Sequence, residues 1–386
     1  MNYKAIIYYL SLFCFPISLI AFVHILYSSY FDYFLNIDSY VATLIISIFT
    51  GTSFLFLGKK ADKKLNFYEQ IFLILLTYII SALFVSIPFY LSNYQVPFIN
   101  SIFESFSGIT GTGFSTFKNI KYLDPTLILW RSSSQWIGGL YFLIFLVLLF
   151  SNKQFNFKMN YLTYSSDGSV NTENNIKDIS LKIFFLYASL TIFIFIILKV
   201  SGIRLYNSLN LSMTLVSAGG FLPSNSLGQI INSNYQKIVL IFSLLLSMIN
   251  FFFVYNLFNK RIITKEHNED YAIIISSIIF IIMLLVSVNN LDAFDIIINV
   301  LSSLSNSGLS LKQGPENISL YFILLTIIGG SIISNTSGIK LIRIYILFKS
   351  TVGEIIRLIR PNNIINQKIF NSDKKINNED IKIAFF

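Results

Sequence analysis

SGITGTGFSTF, Ser107 to Phe117, puts three glycines and five hydroxyl side chains into eleven residues that directly follow an apolar stretch. Irregular backbone at membrane depth is tolerated only where it is buried in protein or lines a water-filled path. Glycine lets a backbone turn its carbonyls inward, including through positive φ. Carbonyls arranged around an axis replace the water that a cation sheds. A short helix ending at such a loop points its negative dipole end at it, which favours cations over anions. Close packing of helices through small residues is the competing reading of any one such loop.

The surrounding chain is built for lipid. Of 386 residues, 54% are hydrophobic and 12% charged, and the mean hydropathy is +0.67. That composition leaves too little polar surface for a soluble protein of this length. Runs long enough to span a bilayer, about 20 residues each, lie at 5–28, 39–57, 68–91, 125–150, 179–200, 236–258, 271–288 and 318–348. The first has a weak basic start and no cleavage pattern, so it reads as a span rather than a signal peptide. Three further apolar segments, 97–109, 205–217 and 293–306, are too short to span and too apolar for loops. They suit re-entrant half-helices.

Charge orients this layout. With the N-terminus inside, the inner segments 58–67, 151–182, 259–270 and 349 onward hold 18 lysines and arginines, against 5 in the outer segments. By the positive-inside rule the N-terminus is cytoplasmic, and topology and lipid contact account for the net charge of +9 without nucleic acid. All three short segments then open to the outer face.

An internal repeat emerges when Gly113, Gly220 and Gly308 are placed in register. Three residues before each stands a hydroxyl: Thr110, Ser217, Ser305. A small residue stands just before (Thr112, Gly219, Ser307) and a large apolar one just after (Phe114, Phe221, Leu309). Thirteen residues before stand Asn100, Asn207 and Asp295, which are expected to cap the half-helices. The unit is span, half-helix, small-residue loop, span, at about 68–150, 179–258 and 271–348.

Other features carry less. FTGTSF at 49–54 imitates the loop but lies inside a full span, so Gly51 reads as helix packing. Cys14 is the single cysteine, and it rules out a disulfide framework and cysteine metal sites. The two histidines, His24 and His267, stand apart from other ligands and read as a satisfied residue in a span and a solvated one. No nucleophile–base arrangement or phosphate loop points to an enzyme. Glu104 is the main acid inside the apolar segments. It is either a coupling acid of a secondary transporter with a mid-membrane site or a structural partner of Arg131.

With these residues in view, the chain resembles the Trk/Ktr/HKT superfamily of potassium transporters, and most the bacterial Trk-type uptake subunit. TGTGFST at 110–116, WRSSSQWIGGL at 130–140, VSAGGF at 216–221, IGGSIISNTSGIKLIR at 328–343 and IIRLIRP at 355–361 carry the resemblance. It implies an all-α polytopic membrane protein: two N-terminal spans, then span, re-entrant pore helix, filter loop and span units around a central pore. The expected segments are an N-terminal pair (1–60), pore repeats at 61–150, 151–260 and 261–350, and a basic linker at 351–386. The resemblance implies filter residues Thr110, Gly111, Thr112, Gly113; Ser217, Ala218, Gly219, Gly220; and Ser305, Asn306, Ser307, Gly308. Glycine at the first filter position is typical of potassium-selective members, so K⁺ is the expected ion and Na⁺ the alternative.

The resemblance further implies an intramembrane gating loop at Gly329, Gly330, Ser331, Ser334, Asn335, Thr336, Ser337 and Gly338. From the residues alone, that polar stretch should unwind or kink the span at 318–348, or back-bond within a continuous helix. Implied too are a homodimer, a cytoplasmic nucleotide-binding regulatory subunit, the bacterial inner membrane and no cofactor beyond the transported ion. The third filter departs from the family pattern, with asparagine and leucine at Asn306 and Leu309. A fourth repeat is absent from this sequence, and IKIAFF at 381–386 reads like the opening of another apolar run. The expectation is a piece of a longer protein, the alternatives being a fourth quarter on another chain or a fragment that does not conduct.

Overall fold

The computed structural model describes residues 2–61, 65–150, 172–251, 253–254, 268–287, 292–312, 318–360, 381 and 384. The basic segments at 151–171 and 259–267, His267 and most of the tail after Arg360 lie outside the described residues. Contacts divide the chain into two compact units, Met1–Phe155 with Asn171–Asn232, and Ser233–Phe386 with Asn156–Val170. The dividing line between Asn232 and Ser233 falls inside the expected second repeat rather than between repeats.

The first unit holds α1 (Tyr3–Tyr30), α2 (Ile37–Gly58), α3 (Phe67–Tyr90), α4 (Phe98–Ile109), α5 (Pro125–Phe150), α6 (Thr172–Val200) and α7 (Leu205–Ser217). The second holds α8 (Asn234–Met248), α9 (Asn268–Ser287), α10 (Ala293–Ser305), α11 (Ser319–Ile328) and α12 (Leu341–Ile359). Among the described residues, α1, α2 with the turn before it, α3, the 180–200 part of α6, and α9 are long and apolar enough to cross a membrane. Long helix, short helix, loop and helix follow one another three times.

The outward face differs from that of a soluble protein, and some helices turn small residues inward. On α2 the buried residues Ser39, Thr43, Ser47 and Gly51 recur every four positions, a small-residue stripe that lets helices approach closely. Their hydroxyls are satisfied locally: Ser39 donates to the Asn36 carbonyl (2.6 Å) and Thr43 to that of Ser39 (2.8 Å). Gly51 faces α1, where a Cβ would lie 3.2 Å from that of Cys14, so the 49–54 stretch is packing, as expected. Large apolar side chains such as Phe22, Phe49, Phe56, Leu75 and Ile279 point outward, where lipid rather than water receives them. The interior of the first unit gathers Tyr40, Phe89, Trp130 and Tyr141. His24 is buried there, its Nδ1 2.9 Å from the Ile20 carbonyl and its ring beside Trp130.

Two expectations need correction. Asn100, Asn207 and Asp295 occupy equivalent positions, but as the third residue of each short helix. The residues preceding those helices are Pro97, Arg204 and Asp292, and none makes a side-chain cap hydrogen bond. The span expected at 236–258 is interrupted, since α8 stops at Met248. The Met248 carbonyl accepts the Ser331 N–H (3.0 Å) and the Asn250 N–H donates to Asp270 (2.9 Å), so partners outside the helix replace its own ladder.

Candidate functional site

The three short helices end in one and the same way. Two residues before the register glycine, the N–H groups of Gly111, Ala218 and Asn306 donate to the carbonyls of Gly108, Leu215 and Ser303, at 3.0, 3.2 and 3.1 Å. One residue later, Thr112, Gly219 and Ser307 donate to Ser107, Thr214 and Ser302, at 3.0, 3.0 and 3.1 Å. This pair of bonds is a Schellman motif, which needs a left-handed residue at its centre. Gly111, Ala218 and Asn306 take that role with φ of 69°, 54° and 58°. The register glycines Gly113, Gly220 and Gly308 are left-handed again, at 80°, 84° and 63°. Alanine at such a position costs about 1–2 kcal/mol, so Ala218 is held there by its surroundings.

The hydroxyls at Thr110, Ser217 and Ser305 bond back to carbonyls of their own helices: Phe106 (2.7 Å), Met213 (2.9 Å) and Ser302 (3.1 Å). They shape the turn.

In the first unit, loops one and two lie against each other. A Cβ on Gly113 would sit 2.5 Å from the Gly219 carbonyl oxygen, so this close approach and the positive φ both require glycine. Behind the loops runs α5, whose Arg131, Gln135 and Gly138 share one face. Arg131 Nε donates to Glu104 Oε1 at 2.7 Å, with both side chains at most 1% exposed. The Glu104 carboxylate also accepts from the Thr116 N–H (2.8 Å) and Ser115 Oγ (3.0 Å), just past loop one. The Arg131 guanidinium donates on to the Leu222 carbonyl and stacks 4.2 Å from the Phe221 ring, just past loop two. Gln135 donates through Nε2 to the Gly219 carbonyl (2.5 Å) and accepts the Phe221 N–H through Oε1 (3.0 Å). Gly138 lets α5 press against the Ile109 carbonyl at the end of α4.

The second unit holds loop three and the break in the last span. Ser307 Oγ lies 2.9 Å from Ser305 Oγ and 3.2 Å from Ser302 Oγ, and the Asn306 amide donates to the Ser337 carbonyl (3.2 Å). Asp295 on α10 lies 3.9 Å from Lys237 and 3.8 Å from Lys312.

Between α11 and α12 the helix is unwound over 329–340, as the polar stretch predicts. Gly329 and Gly338 are left-handed, at φ 67° and 91°. The segment folds on itself: the Gly330 N–H donates to Thr336 Oγ1 (3.0 Å), which lies 2.7 Å from Ser334 Oγ. The Lys340 ammonium donates to four oxygens of this knot, the carbonyl and hydroxyl of Ser334 and those of Thr336. Ser331 and Ile333 are tied to the interruption after α8, and the Ile332 N–H donates to Glu269 (3.1 Å).

Against this geometry stand the known proteins. The family described as TrkH, cation transport protein, matches residues 37–272. The chain belongs to that family. A cation transporter of Methanocaldococcus jannaschii is 27% identical over 91% of this chain and 73% of its own length. The Trk system potassium uptake protein TrkH of Halomonas elongata is 24% identical over 86% of the chain and 72% of its own. The crystal structure of the potassium transporter TrkH from Vibrio parahaemolyticus superposes with a TM-score of 0.80, covering 97% of this chain and 80% of that one at 20% identity. The fold is therefore that of an all-helical polytopic transporter of this family.

Within this TrkH-family chain, ten of the twelve expected filter residues lie in the turns that end the short helices, Ser217 and Ser305 being the last residues of α7 and α10, and the eight expected gate residues lie in the unwound segment. Gln135, Thr214, Ser115, Thr116 and Lys340 also make bonds in and around these segments, and the glycine–hydroxyl pattern does not mark them. For Gln135 the sequence did hold a signal, since Arg131, Gln135 and Gly138 fall at helical spacing within a membrane-length span.

Proposed function

We propose that this cation transporter takes up K⁺ across the bacterial inner membrane through a path whose filter segments are Thr110–Gly113, Ser217–Gly220 and Ser305–Gly308. The observation that carries this reading is the threefold recurrence of a Schellman turn followed by a second left-handed glycine, each at the end of a short helix. Such turns cap the last helical carbonyls, leave the carbonyls that follow outside the helical ladder, and bring a helix's negative end to them, which is cation chemistry. The potassium uptake proteins among its relatives support K⁺ over Na⁺ as the ion. The segment at 329–338 is the gate on this path. The N-terminus is cytoplasmic, and the working form is a dimer with a nucleotide-binding regulatory subunit.

A coupling-acid role for Glu104 has less support, because its carboxylate is committed to Arg131 and to the backbone past loop one. The test is K⁺ uptake by cells lacking other uptake systems. Gly113→Val should abolish it, since a branched side chain meets both the left-handed φ and the Gly219 carbonyl. Uptake at the wild-type rate would refute the filter reading.

A further inference from the structure

We propose that Gln135 is a specificity-determining positioning residue, an amide clamp that sets the geometry of the second filter loop. This rests on reading that loop as a filter segment. Gln135 belongs to α5, the helix that follows loop one, yet both ends of its side chain serve loop two. Its Nε2 donates to the carbonyl of Gly219 at 2.5 Å, and its Oε1 accepts the N–H of Phe221 at 3.0 Å. The two bonds bracket Gly220, the left-handed register glycine with φ 84°. With the residue on either side pinned by one planar amide, the Gly220 peptide units cannot rotate independently.

Two further observations belong to the same device. Gly219 does not have positive φ, so backbone conformation does not explain its being glycine. Space does: a Cβ there would lie 2.5 Å from Gln135 Oε1 and 2.8 Å from Nε2. The clamp and the glycine require each other. Thr214, on the last turns of α7, donates to the Phe221 carbonyl at 2.8 Å and lies 3.4 Å from Gln135 Oε1, so the same short stretch is held from a second side. All of these groups are buried, where a hydrogen bond left unmade is costly.

The function follows from what a filter must do. Its oxygens have to hold the spacing that suits the larger ion and resist contracting around the smaller one. A loop free to rotate about Gly220 can close on Na⁺, whereas a clamped one cannot. The clamp therefore acts on discrimination between ions more than on the path itself.

The experiment measures K⁺ and Na⁺ uptake, each normalised to folded protein, for the intact wild-type protein and for Gln135→Leu, which keeps the side chain's size and removes both bonds. The Na⁺/K⁺ uptake ratio should rise about tenfold, the scale expected when a buried polar contact is lost at a discriminating site. A purely structural role would lower both ions in proportion and leave the ratio unchanged, and that result overturns the proposal. Should Gln135→Leu fail to accumulate, Thr214→Val, which swaps one hydroxyl for a methyl, decides it: a raised ratio supports the clamp and an unchanged ratio overturns it. A wild-type protein that does not discriminate between the ions overturns the filter reading itself. A discriminating wild type with unchanged variants overturns only the role of Gln135.

Discussion

Replacing Glu104 by glutamine tests whether the buried charge pair behind the first loop is scaffold or transport machinery. Glu104 is fully buried and receives Arg131 Nε at 2.7 Å, the Thr116 N–H at 2.8 Å and the Ser115 hydroxyl at 3.0 Å. Glutamine keeps one carbonyl oxygen for these donors but sets an NH₂ group against another of them. It also leaves the Arg131 guanidinium, 1% exposed, without its counter-charge. Removing one partner of a buried pair costs about 3–5 kcal/mol. The retained acceptor and the Phe221 ring over the guanidinium place the expected loss near the lower end, about 3 kcal/mol. The double variant Glu104→Gln/Arg131→Met, which leaves no unpaired charge, should recover much of it. The assay is thermal unfolding of the purified protein, with K⁺ uptake measured in parallel. Wild-type stability together with abolished uptake in Glu104→Gln would refute this reasoning and make Glu104 a coupling acid.

Other expectations follow from single contacts. Gly138→Val should cost more than about 2 kcal/mol and lower the yield of folded protein, because the side chain would strike the Ile109 carbonyl where α5 meets α4; normal yield contradicts it. Gly51→Ala, with its Cβ 3.2 Å from that of Cys14, should cost about 1 kcal/mol in thermal unfolding and leave the Na⁺/K⁺ uptake ratio unchanged. Ala218→Gly should stabilise by up to about 1 kcal/mol, since glycine adopts the left-handed φ of 54° without penalty. Lys340→Met removes the donor that gathers the Ser334 and Thr336 oxygens and so loosens the proposed gate, and the maximal uptake rate should rise with the half-saturating K⁺ concentration unchanged; a fall in rate with normal folding contradicts this.

Much of this arrangement was legible in the chain because lipid imposes simple rules. Apolar run length located α5 at 125–150 and α7 at 205–217 to the residue, since a helix in a membrane must satisfy its whole backbone internally. Glycine marked the left-handed positions at Gly111, Gly113, Gly220 and Gly308. Ala218 was invisible as a left-handed residue, because alanine has no such preference and the turn around it holds it there. The stop of α8 at Met248 was equally hidden. Hydropathy reads on through 249–258, whereas partners outside the helix, the Ser331 N–H at the Met248 carbonyl and Asp270 at the Asn250 N–H, replace its ladder. Asn100, Asn207 and Asp295 fail differently: the register holds, but each is the third residue of its helix rather than its cap, and the residue ahead of each helix makes no side-chain cap bond.

The most direct test of the central claim is competition between ions in cells whose only uptake route is the intact protein. The wild-type protein should show saturable K⁺ uptake that a tenfold excess of Na⁺, used as a rough challenge, barely inhibits, and Gly113→Ser should lose uptake, since its Cβ meets the same Gly219 carbonyl. Equal inhibition by Na⁺ and K⁺ in the wild type, or uptake indifferent to the residue at position 113, would contradict the filter assignment.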